Sequence, residues 1–303
     1  ERTARERLDV LGFLTGGAGL ATLLVGLERG AREGWSDQAS LLLVTAGAAL
    51  IAAFVVTERR VAAPMIDLQL LRNRMFRLGN LILMPAAAAT MGALFVVPLM
   101  VQTTMGLTAT ESGLLTMFQA FGMLVMLPFT NRVFQQVGPR RMLAGGFAVI
   151  TVSQVMLALV DAGSSLWLIR SSMFLMGMAG AFIMVPVQAA AFSSITPQET
   201  ARASALFSTA RQVAASLGVA LLATTLTVRM TSHLESLAST AGEAARTAAA
   251  FNAYQDVFLV AAAVAVLGVI VSFRVRDEEA AASRGKPAPE PAPTTLEAAE
   301  VTP

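Results

Sequence analysis

The feature that most limits what this chain can fold into is the recurrence of apolar runs of about 18 residues or more. Each is long enough to cross a hydrocarbon layer of roughly 30 Å as an α-helix. Lipid offers the backbone no hydrogen-bond partner, so such runs must bond within themselves as helices, even where they contain glycine or proline. Composition agrees. Hydrophobic residues make up 55% of the chain and charged residues 14%, whereas a soluble domain carries about 25% charged residues. These observations predict an all-α integral membrane protein.

Eight spans are expected, at Val10–Glu28, Ser40–Thr57, Asn80–Gln102, Ser112–Phe129, Met142–Val160, Leu166–Phe192, Ala205–Thr227 and Val257–Phe273. The first two form a hairpin within residues 1–58. A connector follows over 59–78, where Ile66, Leu68, Leu71 and Met75 share one helical face away from Arg72, Arg74 and Arg77; this predicts an amphipathic surface helix. Residues 79–274 hold a bundle of six spans with short connections. The tail, 275–303, is rich in Pro, Ala and Glu and reads as disordered and solvated. The chain opens on Glu1, and its first nine residues have no signal-peptide character, so a preceding segment is expected.

The basic residues are sorted by side. With alternating crossings, Arg2, Arg5 and Arg7 fall on the same side as Arg59, Arg60, Arg72, Arg74 and Arg77, Arg132, Arg140 and Arg141, Arg202, and the basic residues of the tail. The opposite side holds Arg29, Arg32, Arg229 and Arg246. The positive-inside rule then places both termini in the cytoplasm of a multi-pass protein. Trp35 and Trp167 fall in or beside the outer connections, where interfacial aromatics belong.

Several chemistries are disfavoured by residue type alone. The chain has no cysteine and a single histidine, His233, so disulfide frameworks, thiol nucleophiles and histidine-based metal clusters are ruled out. No carboxylate is expected in the middle of a span; each acidic residue falls at a span end, in a connection or in a terminus. A membrane enzyme therefore has no evident catalytic set. A proton relay needs a titratable group inside the membrane, and none is expected in this chain. The charge balance, +2, gives no reason to expect nucleic acid as a partner. The partner fixed by composition is the lipid bilayer.

Local strings then point to a family. They are LDVLG opening the first span, PMIDLQLLRNRMF in the connector, VQTTMGLTATESGLL after the third span, RVFQQVGPRRML after the fourth, and TPQETARASALFSTARQVAASLGVA leading into the seventh. In order and spacing these resemble the fourteen-span drug:proton antiporters of the major facilitator superfamily, the EmrB/QacA type. The resemblance covers Arg7 to Phe273. It implies an inserted hairpin followed by the C-terminal six-helix half, with the first six-span half, which carries the proton-coupling carboxylate, absent from these residues. It further implies export of hydrophobic or cationic drugs by alternating access, with a proton gradient as energy source and no cofactor. The partners implied are that first half, small amphipathic substrates, and an envelope adaptor if the organism has an outer membrane. The reading from a different class is a free-standing membrane scaffold or regulatory subunit without transport.

Candidate residues follow. Arg211 is the one charge well inside a span, roughly 10 Å from its cytoplasmic start. It either snorkels to the interface or acts with Gln212 as a gate against the first half, as the resemblance implies. Arg170, near the outer end of its span, is placed to snorkel. Asn80, Gln119 and Gln188 are polar residues inside spans that either hydrogen-bond a neighbouring helix or line the pathway, and Gln188 and Met176 lie on the sixth span, which the family places along the central pathway. Met173, Met178 and Met184 share that span, and methionine repacks around varied apolar shapes. Arg132, Gly138, Arg140 and Arg141 match the family's cytoplasmic loop motif, although Gln135 stands where an acidic residue is usual. The other reading of that string is a tight basic turn. Pro85, Pro98 and Pro186 interrupt backbone ladders and suit helices that bend. Gly177 and Gly180 suit close helix packing.

Overall fold

The computed structural model describes residues 10–34, 36–58, 68–192, 195–197, 199–237 and 242–275. Eight α-helices occupy them: α1 (Val10–Glu33), α2 (Gln38–Glu58), α3 (Arg74–Thr104), α4 (Ala109–Val137), α5 (Pro139–Ala158), α6 (Leu166–Phe192), α7 (Thr200–Glu235) and α8 (Glu243–Ser272). Seven of these, α2 through α8, are long and apolar enough to cross a membrane by length and composition. The chain is an all-α integral membrane protein.

Several helices outrun the expected spans, although α6 coincides with its span and α5 stops at Ala158, short of Val160. The hydropathy pattern marks where lipid touches a helix, not where the helix stops. The first half of α8, EAARTAAAFNAYQD, is too polar to count as a span but is built largely of good helix formers. It extends the helix well beyond the expected start at Val257. The segment before α3 differs in the other direction. Residues 59–67 lie outside the described part, Leu68–Arg72 form a single turn of 3₁₀-helix, and Arg74 to Leu78 already belong to α3. The described part of the connector is therefore not a separate amphipathic α-helix. Asn73 decides the boundary: its side-chain oxygen accepts from the Met75 and Phe76 N–H groups and caps α3. The tail from 276 and the stub before Val10 lie outside the described residues.

Other boundaries are set by similar local chemistry. Thr108 and Glu111 form a reciprocal capping box that starts α4. Gly138 alone joins α4 to α5; its φ of 85° favours glycine, and Pro139 starts the next helix. Asp37 starts α2, accepting at one carboxylate oxygen from the Ser40 N–H and hydroxyl and from Arg29 Nε at 2.8 Å.

α3 is the hub of the bundle, packing on α7, α8, α6 and α4. It threads two apolar clusters. The first gathers Val96, Val97 and Met100 with Leu157, Met173, Tyr254 and Phe258. The second gathers Phe76, Ile82 and Leu83 with Phe147, Ile183, Phe207 and Val275. The α1–α2 hairpin docks on α7, with Leu27 against Ala220 and Ala223.

Close crossings rest on small residues. At the α4–α6 contact, a Cβ on Gly177 would collide with the Gln119 carbonyl, and one on Gly122 with the Phe174 carbonyl. Gly180, expected to serve the same purpose, has open space where its Cβ would be. Arg170 is held by stacking, its guanidinium 4.8 Å from the Trp167 ring centre and 5.8 Å from that of Phe118. At the other end of α7, Asp256 of α8 hydrogen-bonds His233 at 2.9 Å and lies 3.6 Å from Arg229.

Two outcomes are expected. Gly177→Leu should separate α4 from α6 and destabilise the bundle by about 1–3 kcal/mol, whereas Gly180→Ala should be near neutral; thermal unfolding in detergent compares them. The bonds from Arg29 and Ser40 hold the Asp37 carboxyl at about 2, below its ordinary 3.8. A depressed carboxylate contributes stability above its unfolded pKa and loses it as pH falls through the folded one. The hairpin should therefore weaken between about pH 4 and pH 2, and Asp37→Asn should flatten that acid limb in a pH series of hairpin hydrogen exchange.

Candidate functional site

At 3.6 residues per turn, Arg211 shares one face of α7 with Phe207, Ala214, Gly218 and Leu222. Those four are buried, yet Arg211 is exposed. The stripe that packs α7 onto α3 is interrupted at this level by a cavity of about 140 Å³. Its walls are Leu83, Ala86, Ala87, Thr90 and Met91 of α3, Ile150 of α5, Gly180, Ile183 and Met184 of α6, and Arg211, Gln212 and Ala215 of α7. The open space at Gly180 is part of this opening.

A second cavity of about 440 Å³ adjoins it, with Met91 and Gln212 in the walls of both. Leu24 and Glu28 of α1, Phe95 of α3 and Ala215, Ser216, Val219 and Ala220 of α7 complete its lining. Each half of the site thus combines an apolar wall with a few polar groups. The smaller lobe offers a guanidinium and an amide, the larger an amide, a hydroxyl and a carboxylate. Arg211 stands roughly 16 Å along α7 from Thr200. That is deeper than the expected span suggested, because the helix begins before Ala205.

Two prolines border the smaller lobe. Pro85 leaves the Leu81 carbonyl without its usual helical donor, and Pro186 does the same at Phe182. Pro85 sits between the lining residues Leu83 and Ala86, and Pro186 follows Ile183 and Met184. Pro98 lies further along α3, beyond the cavities.

The expected pathway residues lie elsewhere. Asn80 is buried on α3 and donates from Nδ2 to the Phe76 carbonyl at 2.9 Å, leaving Oδ1 buried without a partner among the described residues. Gln119 sits at the α4–α6 crossing, its Oε1 buried in the same way. Met176 is fully buried in the core with Met173, at 4.0 Å from the Gln154 amide nitrogen. Gln188 is exposed near the end of α6. None of the four lines either cavity; Arg211, Gln212 and Met184 do.

Several lining residues were not singled out in the sequence. Thr90 bonds its own helix, its hydroxyl donating to the Ala86 carbonyl at 2.7 Å, and so carries no polar signal outward. Glu28 was assigned to the end of the first span, but α1 continues to Glu33 and carries Glu28 into the wall of the larger cavity. The usable clue was the spacing on α7: a charge in register with four small or apolar residues marks an inward face.

The loop-motif residues form a turn. Arg132 and Arg141 are exposed on α4 and α5, Gly138 is the link between those helices, and the Arg140 guanidinium stacks 5.2 Å over Phe273.

Residues 79–301 match the sequence profile of the Major Facilitator Superfamily. Among curated proteins, the chain is 30% identical over 240 residues to the multidrug resistance protein B homolog of Mycobacterium tuberculosis (strain CDC 1551 / Oshkosh), covering 78% of this chain and 44% of that protein. It is 28% identical over 238 residues to the multidrug export protein EmrB of Escherichia coli (strain K12), covering 77% and 46%. It is 23% identical over 274 residues to the lincomycin resistance protein LmrB of Listeria monocytogenes (strain ATCC BAA-679 / EGD-e), covering 90% and 58%. The chain thus spans about half the length of the curated relatives it matches. With a matching profile over most of its length and an all-helical membrane bundle, this chain belongs to the major facilitator superfamily of transporters.

Proposed function

We propose that this chain supplies one wall of the substrate path in an exporter of hydrophobic or cationic small molecules, and that Arg211 with Gln212 forms its gate. The observation that carries the reading is the inward-facing arginine lining a cavity that adjoins a second, larger one. A charged group inside a membrane bundle costs about 2.5–3.5 kcal/mol at mid-span and usually faces a water-filled space or a partner charge. Sites of this kind sit where bundles meet and where helices are interrupted, and here Pro85 and Pro186 border the opening. The larger cavity, about 440 Å³, falls in the range of drug-sized sites. Two methionines, Met91 in the walls of both cavities and Met184 in the smaller one, suit ligands of varied shape.

In this reading the chain rocks against a second six-span bundle. Arg211 meets an acidic group of that bundle in one state and releases it in the other. A proton gradient drives the cycle, with coupling residues in the partner bundle and no cofactor. The arginine-rich end, where α3, α5 and α7 begin and α8 ends, faces the cytoplasm of the plasma membrane by the positive-inside rule. Both termini then share that side. An envelope adaptor joins the system only in a cell with an outer membrane. The names of the multidrug relatives support this substrate class.

Vesicles containing the complete transporter test it. ΔpH-driven ethidium efflux should fall about tenfold or more in Arg211→Ala, equivalent to at least ~1.4 kcal/mol in the rate-limiting barrier, while membrane insertion stays normal. Efflux at the unmodified rate from a well-inserted variant would remove Arg211 from the gate. Met91→Trp, which fills the wall shared by both lobes, should reduce efflux of bulky dyes several-fold more than that of small ones; equal losses would place the substrate outside these cavities.

A further inference from the structure

A separate cavity of about 490 Å³ opens at the arginine-rich end, remote from Arg211. Arg74, Arg77, Leu78 and Leu81 of α3, Arg140 of α5, and Phe273, Arg274 and Val275 after α8 line it. Four guanidinium-bearing residues from three elements thus surround one hollow. Their placement runs against a local preference. Arg74 and Arg77 stand in the first turn of α3 and Arg140 in that of α5, where the helix dipole favours anions and disfavours cations. Arg77 and Arg274, together with the two helix starts, therefore favour negative charge in this hollow.

The rest of the lining is apolar. Leu81 and Phe273 are exposed large hydrophobic side chains, 44% and 54%, and Leu78 and Val275 close the floor. Phe273 carries the Arg140 guanidinium over its ring, and Arg77 Nη1 donates to the Leu71 carbonyl at 3.5 Å, so these side chains have defined directions. A small soluble anion has no use for an apolar rim beside its charges. A lipid has: its phosphate meets the arginines and its acyl chains run along exposed apolar helix surface.

We infer that this hollow is a binding site for an anionic glycerophospholipid, with the phosphate held among Arg74, Arg77, Arg140 and Arg274 and the glycerol end of the chains against Leu81 and Phe273. The bound lipid ties the start of α3 to the turn before α5 and the end of α8. It does not depend on the substrate path proposed above, and its test does not read transport.

Native mass spectrometry of the full chain in detergent, supplied with phosphatidylglycerol or phosphatidylcholine of matched chains, decides the point. The unmodified chain should retain phosphatidylglycerol roughly tenfold more than phosphatidylcholine, an energy difference of about 1.4 kcal/mol. Arg77→Gln with Arg274→Gln should abolish that preference, and Arg77→Lys with Arg274→Lys should keep most of it. Equal retention of the two lipids by the unmodified chain overturns the site, even if the glutamine variant fails to fold. An undiminished preference in a folded glutamine variant does so too. Displacement of phosphatidylglycerol by equimolar inorganic phosphate would make this a soluble-anion site and equally reject the lipid.

Discussion

Two helices in lipid gain nothing by hiding leucines from their surroundings, because the surroundings are as apolar as leucine. Association then rests on close van der Waals approach and on hydrogen bonds that lipid cannot replace. This bundle meets that constraint with backbone-to-backbone crossings. α4 and α6 meet at Gly122 and Gly177, and a Cβ on Gly218 of α7 would run into the Ala88 backbone of α3. Three of the side-chain bonds that cross between helices among the described residues centre on α5: Ser153 donates to the Ser172 carbonyl at 2.6 Å, Gln154 to the Ala89 carbonyl at 3.1 Å, and Gln255 to the Val160 carbonyl at 3.1 Å. Each ties α5 or its C-terminal end to a neighbour. α3 can be the hub because it offers alanine and glycine on so much of its buried surface: Gly79, Ala86, Ala87, Ala89, Gly92 and Ala93.

The same constraint explains why a cavity is informative here. Where small residues bring helices together, packing is tight and the buried stripe on α7 is continuous. Arg211 stands in the register of that stripe and yet is exposed. A guanidinium cannot be packed like Gly218, since its charge must keep water or a counter-charge within reach. The packing therefore opens around it, and the space extends past Gln212 and Met91 towards α1. Thr90, facing the same space, spends its hydroxyl proton on its own backbone, so the donors of the smaller lobe are Arg211 and Gln212.

Much of this was legible in the sequence, and the exceptions share a cause. The eight helices, their order and the asymmetric arginines follow from apolar length and charge, both one-dimensional properties. Arg211 and Gln212 drew attention because charged and polar residues inside a span are rare, and both line the smaller cavity. Asn80, Gln119 and Gln188 were chosen on the same ground but point elsewhere, since rarity says nothing about direction. Met176 and Met184 differ by eight residues, about 80° around the helix, which is enough to put one in the core and the other on the cavity. Glu28 was not recognisable as a cavity residue, because hydropathy stops a span at the first run of charge, whereas the helix continues to Glu33. Gly180 was grouped with Gly177 by type, yet only one of them meets another backbone.

The geometry also limits how such a bundle can move. Its two apolar clusters sit at different levels of α3, one around Val96 to Met100, the other around Phe76 to Leu83. The smaller cavity lies next to the second, beside Pro85 and Pro186. Each proline removes one backbone hydrogen bond, so bending there costs less than bending elsewhere in the same helices. The crossings at Gly177 and Gly218 resist separation, because a shift of either breaks close backbone contact over a wide area. Bending of this bundle is therefore expected at the level of Arg211, with the clusters moving as rigid pieces on either side. In the proposed gate, a small tilt of α7 changes the distance from Arg211 to the acidic group of the partner bundle. Coulomb attraction in a medium of low dielectric changes steeply over such distances. The gate proposed for Arg211 needs neither a large displacement nor a second charged residue on the same helix.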